Sequence, residues 1–319
     1  MELENSYIFG FRERIFECVM LSDSEWVVRT TRKILHFKDD QLLKEIEIND
    51  YGNIIDSFWG GDYAFCILRD RAFLIGVNKC YCWDLKDYTF NEYSIQNTLE
   101  RSPNHPNTSL RPFKASVNTD NNSIWILLAS QVLGDSTLYA ELFVSDSMDF
   151  EWKNKHANHL IAKDYPRKIQ HFTNSGYDAP DISDLCLLNG KRLCYTTGFH
   201  TAYGKYDMDY SILTEIDQSE KSIKQNVSTE SCFGYFSSDK NTIIIKPLYK
   251  KGESKGKMFL RNTLTFEPEY LKFPRGATQF RILDVFEGTV LLSNDSQGKY
   301  PAYSIKGEDK LQILKMKRC

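Results

Sequence analysis

Four short segments of this chain set an acidic side chain at the centre of an apolar pentad. They are Ile15–Val19 around Glu17, Ile54–Phe58 around Asp56, Ile182–Cys186 around Asp184, and Ile282–Phe286 around Asp284. A carboxylate among apolar neighbours is poorly solvated, so it takes up a proton, recruits a cation or finds hydrogen-bond donors. Held at one height, Glu17, Asp56, Asp184 and Asp284 form an incomplete acidic ring. Such a ring offers several hard oxygen ligands, the set preferred by one divalent cation such as Ca²⁺. The other chemistry open to these residues is structural. Each carboxylate accepts backbone N–H or Ser/Thr hydroxyl donors from a neighbouring sheet, and then no cofactor is expected. Carboxylates alone do not define a catalytic reaction, so no catalytic residue is assigned.

A second group of residues is suited to recognition. Residues 154–180 are longer than an ordinary connection and carry Tyr165, Arg167, Lys168 and His171. Residues 246–257 hold Lys250, Lys251, Lys255 and Lys257 on what reads as a long hairpin. If these two segments share a face, they form a basic rim, which suits an acidic protein partner through steering and specificity. Histidines 156 and 159 have H-x2-H spacing, but no Glu follows the first as metalloprotease helices require, so they read as solvated.

The elements that must carry these groups are strands. Between pentads the apolar period stays near two, and turns rich in Asp, Asn, Gly and Ser separate the runs. Two weaker pentads, centred on Ala115 and Phe233, bring the copies to six. Recurrence on this scale marks a repeat architecture. The fold class is all-β, a β-propeller of six four-stranded antiparallel blades, with seven as the runner-up. A single domain spans 1–319, with blades near 14–49, 53–95, 112–153, 181–227, 231–273 and 279–318 and insertions at 96–111 and 154–180. The last unit reads as complete from its own strands Ala302–Ile305 and Leu311–Met316, and Ser6–Phe11 lies across that blade or forms part of a seventh.

The pattern resembles the propeller superfold in general. Trp83-Asp84 falls near the end of a third strand, as in tryptophan–aspartate repeat propellers, but the pair occurs in one unit and carries no residue roles over. Lactonase-type and phosphotriesterase-type six-bladed propellers hold a metal at the place of the acidic ring. They add Asn ligands, which the inner strands here lack.

Composition narrows the setting. The net charge of −3 supplies no global field calling for nucleic acid or an anionic membrane. The opening residues are acidic where a secretory signal is basic, and no apolar run approaches the roughly 20 residues a bilayer needs. The expectation is a cytoplasmic monomer with buried, reduced cysteines. No nucleophile elbow, P-loop or dinucleotide fingerprint is present. The leading function is a non-catalytic protein-binding scaffold, in one version an immunity-type protein that occludes a toxin domain. The alternative is a metal-assisted hydrolase or lactonase using the channel carboxylates.

Overall fold

The computed structural model describes residues 3–9, 15–30, 32–48, 63–96, 110–130, 138–153, 181–198, 210–217, 222–228, 232–247, 257–272, 281–293 and 311–317. Every regular element among them is a strand, save a single 3-10 position at Ile48. Strand β1 covers Leu3–Phe9. The first meander follows as β2 (Ile15–Met20), β3 (Glu25–Thr30), β4 (Lys33–Lys38) and β5 (Gln41–Glu47). The second is β6 (Ala64–Leu68), β7 (Arg71–Ile75), β8 (Lys79–Asp84) and β9 (Phe90–Gln96). The third is β10 (Leu110–Asn118), β11 (Ser123–Ser130), β12 (Leu138–Val144) and β13 (Phe150–Lys153).

The fourth comprises β14 (Asp181–Leu188), β15 (Lys191–Gly198), β16 (Tyr210–Asp217) and β17 (Ser222–Ser228). Then come β18 (Cys232–Phe236), β19 (Thr242–Pro247), β20 (Phe259–Asn262) and the short β21 (Pro268–Glu269). The last strands are β22 (Arg281–Phe286), β23 (Thr289–Ser293) and β24 (Leu311–Lys317). The chain is therefore all-β, built from repeated four-stranded antiparallel sheets of the propeller-blade type.

Turn chemistry sets the hairpins. Asn189-Gly190 joins β14 to β15 with φ of 51° and 73°. Positive φ at both central residues is what a two-residue type I′ turn requires, and its twist matches that of the strands. The β4–β5 turn reaches the same shape with Asp39 and Asp40 (φ 49° and 60°), and the β6–β7 turn with Arg69 and Asp70 (φ 53° and 56°). Asp tolerates this region through local hydrogen bonding; Arg69 enters it without that help.

Two departures from the expected strand plan are informative. The last sheet runs β1-β24-β23-β22, so its fourth place belongs to Leu3–Phe9, while 302–305 lies outside the described residues. The sheet is closed by the beginning of the chain, with Tyr7 opposite Ile313 and Phe9 opposite Leu311. The second meander is complete as β6–β9 without the pentad Ile54–Phe58, which also lies outside the described residues.

The second and third meanders join through their outer strands. Strand β13 pairs with β9 in parallel, Phe150 opposite Ile95 and Glu151 opposite Gln96, giving one eight-stranded sheet. A single apolar cluster serves both halves, including Cys66, Phe73, Cys82, Ile124, Ile126, Leu142, Phe150 and Trp152. Full burial of each large aliphatic or aromatic side chain contributes about 1.5–3 kcal/mol.

Contacts divide the chain into two compact units. The first comprises Met1–Ile55, Ser237–Ile244 and Met258–Cys319; the second comprises Asp56–Phe236 and Ile245–Lys257. The seven described cysteines are free thiols, six of them buried. Burial pushes Cys82 and Cys194 up to about 12, so both remain protonated hydrophobes at neutral pH. Among the described residues no helix is long and apolar enough to cross a membrane.

Candidate functional site

The acidic pentads form a repeated device whose key is a register shift. In β2 the pairing with β3 slips between Ile15 and Glu17. The same slip occurs between Ile182 and Asp184 in β14, and between Ile282 and Asp284 in β22. It recurs in β10 between Pro112 and Lys114. An irregularity of this kind adds a residue to one strand, bends it and re-aims the side chain that follows. The residue that follows is Glu17, Lys114, Asp184 or Asp284. In the third meander the repeated position is therefore Lys114 rather than Ala115, the expected centre. The apolar pattern of Phe113–Val117 hid the offset because a bulge moves the period by one.

Each of these charges has a definite partner. Asp284 is 2% exposed and collects donors from three parts of the first unit. Its Oδ2 accepts the Met20 N–H at 2.9 Å and the Ser238 hydroxyl; its Oδ1 accepts the Ser238 N–H at 2.9 Å and the Val285 N–H at 2.8 Å. Burial raises its pKa to about 6, and the Ser238 hydroxyl with the three backbone N–H groups limits that rise. Nearby, Asp239 accepts the Glu287 N–H at 2.8 Å, a further tie between the turn after β18 and the turn after β22.

Asp184 plays the corresponding part in the second unit. It is also 2% exposed, and accepts the Phe236 N–H and its neighbour Leu185 N–H, both at 2.9 Å. Burial raises its pKa to about 6, opposed first by the positive charge of Lys114 and then by the two N–H donors. The Lys114 ammonium stands 5.6 Å from the centre of the Tyr235 ring. Next to this point Gly234 lies so close to Tyr195 that an added Cβ would sit 2.4 Å from the ring. The Tyr195 hydroxyl donates to Ser211 Oγ at 2.9 Å, which fixes the ring.

Glu17 differs from the two aspartates. It faces Arg29 directly across the β2–β3 pair, at 3.5 Å, and the Arg29 guanidinium also lies 5.0 Å from the Phe16 ring. Arg29 is 1% exposed, so this is an ion pair inside the protein. Asp56 lies outside the described residues, as do Tyr165, Arg167, Lys168, His171, Lys250, Lys251 and Lys255. Lys257 is described and exposed. Among the described residues no group of three or more His, Cys, Asp and Glu side chains is placed to hold a metal ion.

One buried polar centre escaped the sequence reading. Glu141 on β12 is 7% exposed, and accepts the Trp125 indole N–H at 2.8 Å, the Asn121 amide at 3.3 Å and the Ser123 hydroxyl. Burial raises its proton affinity, but these donors and the positive charge of Arg192 outweigh it and hold the carboxyl below its usual range. Arg192 also stacks 5.0 Å from the Trp125 ring. A signal existed in the strand register: Trp125 and Glu141 are directly opposed on β11 and β12.

Trp83, fully buried, and Asp84 close the third strand of the second meander, where the sequence places the pair. Asp84 caps its own turn by accepting the Lys86 N–H at 2.9 Å.

No family model matches the chain, and no curated protein matches it in sequence. Solved structures that are similar include the extracellular domain of a one-component system from B. thetaiotaomicron, at 12% identity and a TM-score of 0.40. That match covers 94% of this chain but 32% of the other, so the chain spans about a third of that structure. The WD40 domain of Neurospora crassa Pan2 matches at 9% identity and a TM-score of 0.40, over 94% of this chain and 74% of that one. The WD40 domain of SCAP from fission yeast matches at 9% identity and a TM-score of 0.37, over 98% of both chains.

Proposed function

We propose that this chain is a non-catalytic scaffold that binds an acidic protein partner, in its specific form an immunity-type protein occluding a toxin domain within the cytoplasm. The observation that carries the reading is the use of Asp284 and Asp184. Both bulged-strand carboxylates accept backbone N–H groups from other elements, Met20 and the turn residue Ser238 in one case and Phe236 in the other. Carboxylates engaged in this way brace sheets against each other, and a braced β scaffold presents loops in fixed positions. The partner-binding side chains on this reading are Tyr165, Arg167, Lys168, His171, Lys250, Lys251, Lys255 and Lys257. A basic rim steers an acidic partner and fixes its orientation.

The test compares the unaltered chain with a quadruple charge reversal, Arg167→Glu, Lys168→Glu, Lys250→Glu and Lys251→Glu, against an acidic toxin domain. Binding that survives EDTA and weakens at least tenfold in the reversal supports the scaffold. The competing reading, a metal-assisted hydrolase, makes the opposite demand. It requires about one divalent ion per purified chain, lost with activity in Asp184→Ala or Asp284→Ala, and that result would replace the scaffold reading.

A further inference from the structure

The outer strands of the sheets are β5, β9, β13, β17, β21 and, in the last sheet, β1. An open edge is a template for another strand, and folded proteins close such edges with bulges, charges, Pro, short strands or pairing. All but one of these strands carry such a device. Strand β1 has an irregularity between Leu3 and Asn5. In β5 Leu43 is an extra residue, since Lys44 opposes His36 while Leu42 opposes Phe37, and Lys44, Glu45 and Glu47 add charge. Strands β9 and β13 pair with each other. Strand β21 is two residues long and starts at Pro268. Strand β17 stands apart. It runs seven residues, pairs with β16 without a register slip, and holds no Pro and one charge, Lys224. No described strand pairs with its far side, and Val227 on it is 49% exposed.

We propose that β17 pairs with the β17 of a second copy of this chain, antiparallel about a twofold axis normal to the sheet. The symmetry is written in the strand. It reads Ser-Ile-Lys-Gln-Asn-Val-Ser, nearly the same in character from either end. The register that overlaps the two strands completely is centred on Gln225, which then opposes Gln225 of the second copy. In that register Ile223 opposes Val227, a pair of β-branched residues, and Lys224 opposes Asn226. A register centred on Lys224 instead would set two ammonium groups directly opposite, which is destabilising. Main-chain pairing supplies the affinity and needs no pocket, and the contact covers Val227. The same strand serves both copies, so the assembly closes at two. With seven residues from each copy against the roughly 20–30 of a standard interface, the dimer is weak and its population follows concentration.

The test uses the full-length chain. Gln225→Cys places a thiol on the twofold axis, facing its own counterpart. Opposed residues of antiparallel strands lie about 4.5–5.5 Å apart, inside the range a disulfide spans. Mild oxidation is expected to give a covalent dimer whose yield rises with concentration from micromolar to near-millimolar. The unaltered chain, and Val227→Cys, whose thiols oppose Ile223 rather than each other, are expected to give none. No covalent dimer of Gln225→Cys, or equal yields from Gln225→Cys and Val227→Cys, overturns the proposal. Charge at a single position gives a second readout, which misfolding does not imitate. Asn226→Glu sets a carboxylate opposite each Lys224 of the dimer, and Asn226→Lys sets a like charge there. Sedimentation equilibrium is expected to show the dimer tightening at least about threefold in the first and weakening at least about threefold in the second. No dimer of the unaltered chain up to near-millimolar, or constants that fail to move in opposite directions, overturns the proposal equally.

Discussion

The Met20 N–H and the Asp284 carboxylate meet at 2.9 Å across 264 residues of chain. The same carboxylate takes both donors of Ser238, so one side chain holds the end of β2, the turn after β18 and the bulge of β22 together. A carboxylate that accepts several donors in a buried setting is costly to remove, because the donors are left without partners in a place water does not reach.

Asp284→Ala is accordingly expected to destabilise the protein by about 1–3 kcal/mol. Asp284→Asn is expected to cost less, since its carbonyl keeps two acceptor sites while its amide faces donors. Urea midpoints at pH 7 measure both; equal midpoints for wild type and Asp284→Ala would refute the bracing role.

The pH dependence has a defined sign. Asp184 and Asp284 each bind a proton more tightly in the folded state, at about 6, than in the unfolded chain, near the ordinary aspartate value of 3.8. The proton-linked part of their contribution to stability is full below pH 3.8 and is lost as pH rises through 6, on the order of 3 kcal/mol for each group, while the hydrogen bonds to the carboxylate remain. Glu25 and Glu141 act in the other direction, with lowered values. The clean readout is therefore a difference. Wild-type stability minus that of Asp284→Asn is expected to shrink between pH 4 and pH 7, and a flat difference would refute it.

Gly234 is expected to tolerate no side chain. Gly234→Ala drives a Cβ to 2.4 Å from the Tyr195 ring, and overpacking of this kind typically costs 1–3 kcal/mol. Combining it with Tyr195→Leu is expected to recover part of the loss, and a double-mutant cycle gives the coupling.

Glu141→Gln keeps the shape of the Trp125 partner but removes its charge. A hydrogen bond to a charged group contributes about 1.5–3 kcal/mol, so a loss of that order is expected. Tryptophan emission is expected to shift, because Trp125 loses an anionic acceptor at 2.8 Å.

At the β6–β7 turn, Asp70→Gly is expected to stabilise the chain by about 0.5–1 kcal/mol. Its φ of 56° suits glycine, and the Lys86 ion pair that is lost there is exposed. Thermal melting checks the direction.

The sequence made the repeats legible because buried strands and their turns leave a local signature. The first blade, expected near 14–49, is found as β2 to β5, from Ile15 to Glu47. What local pattern cannot carry is pairing between distant segments. The union of β1 with β24 joins strands with most of the chain between them, and no period within Leu3–Phe9 encodes its partner. The register slip that selects Lys114 was hidden for a related reason: bulges are visible only once a partner strand supplies the count. For the candidate site, Glu17, Asp184 and Asp284 were visible as polar breaks in apolar runs. Their donors were not, because an N–H belongs to every residue except proline and leaves no mark in composition.

The parallel seam between β9 and β13 also has a mechanical consequence. Exposed sheet edges are the places where other chains add strands and where fraying begins. Here Ile95 and Gln96 face Phe150 and Glu151, so two neighbouring meanders share part of an edge and draw on one apolar cluster. Elements that share a core open as a unit. Residues 64–96, 110–130 and 138–153 therefore constitute a single cooperative block, whose amides would gain and lose hydrogen-exchange protection together even though a long insertion separates the two meanders in sequence.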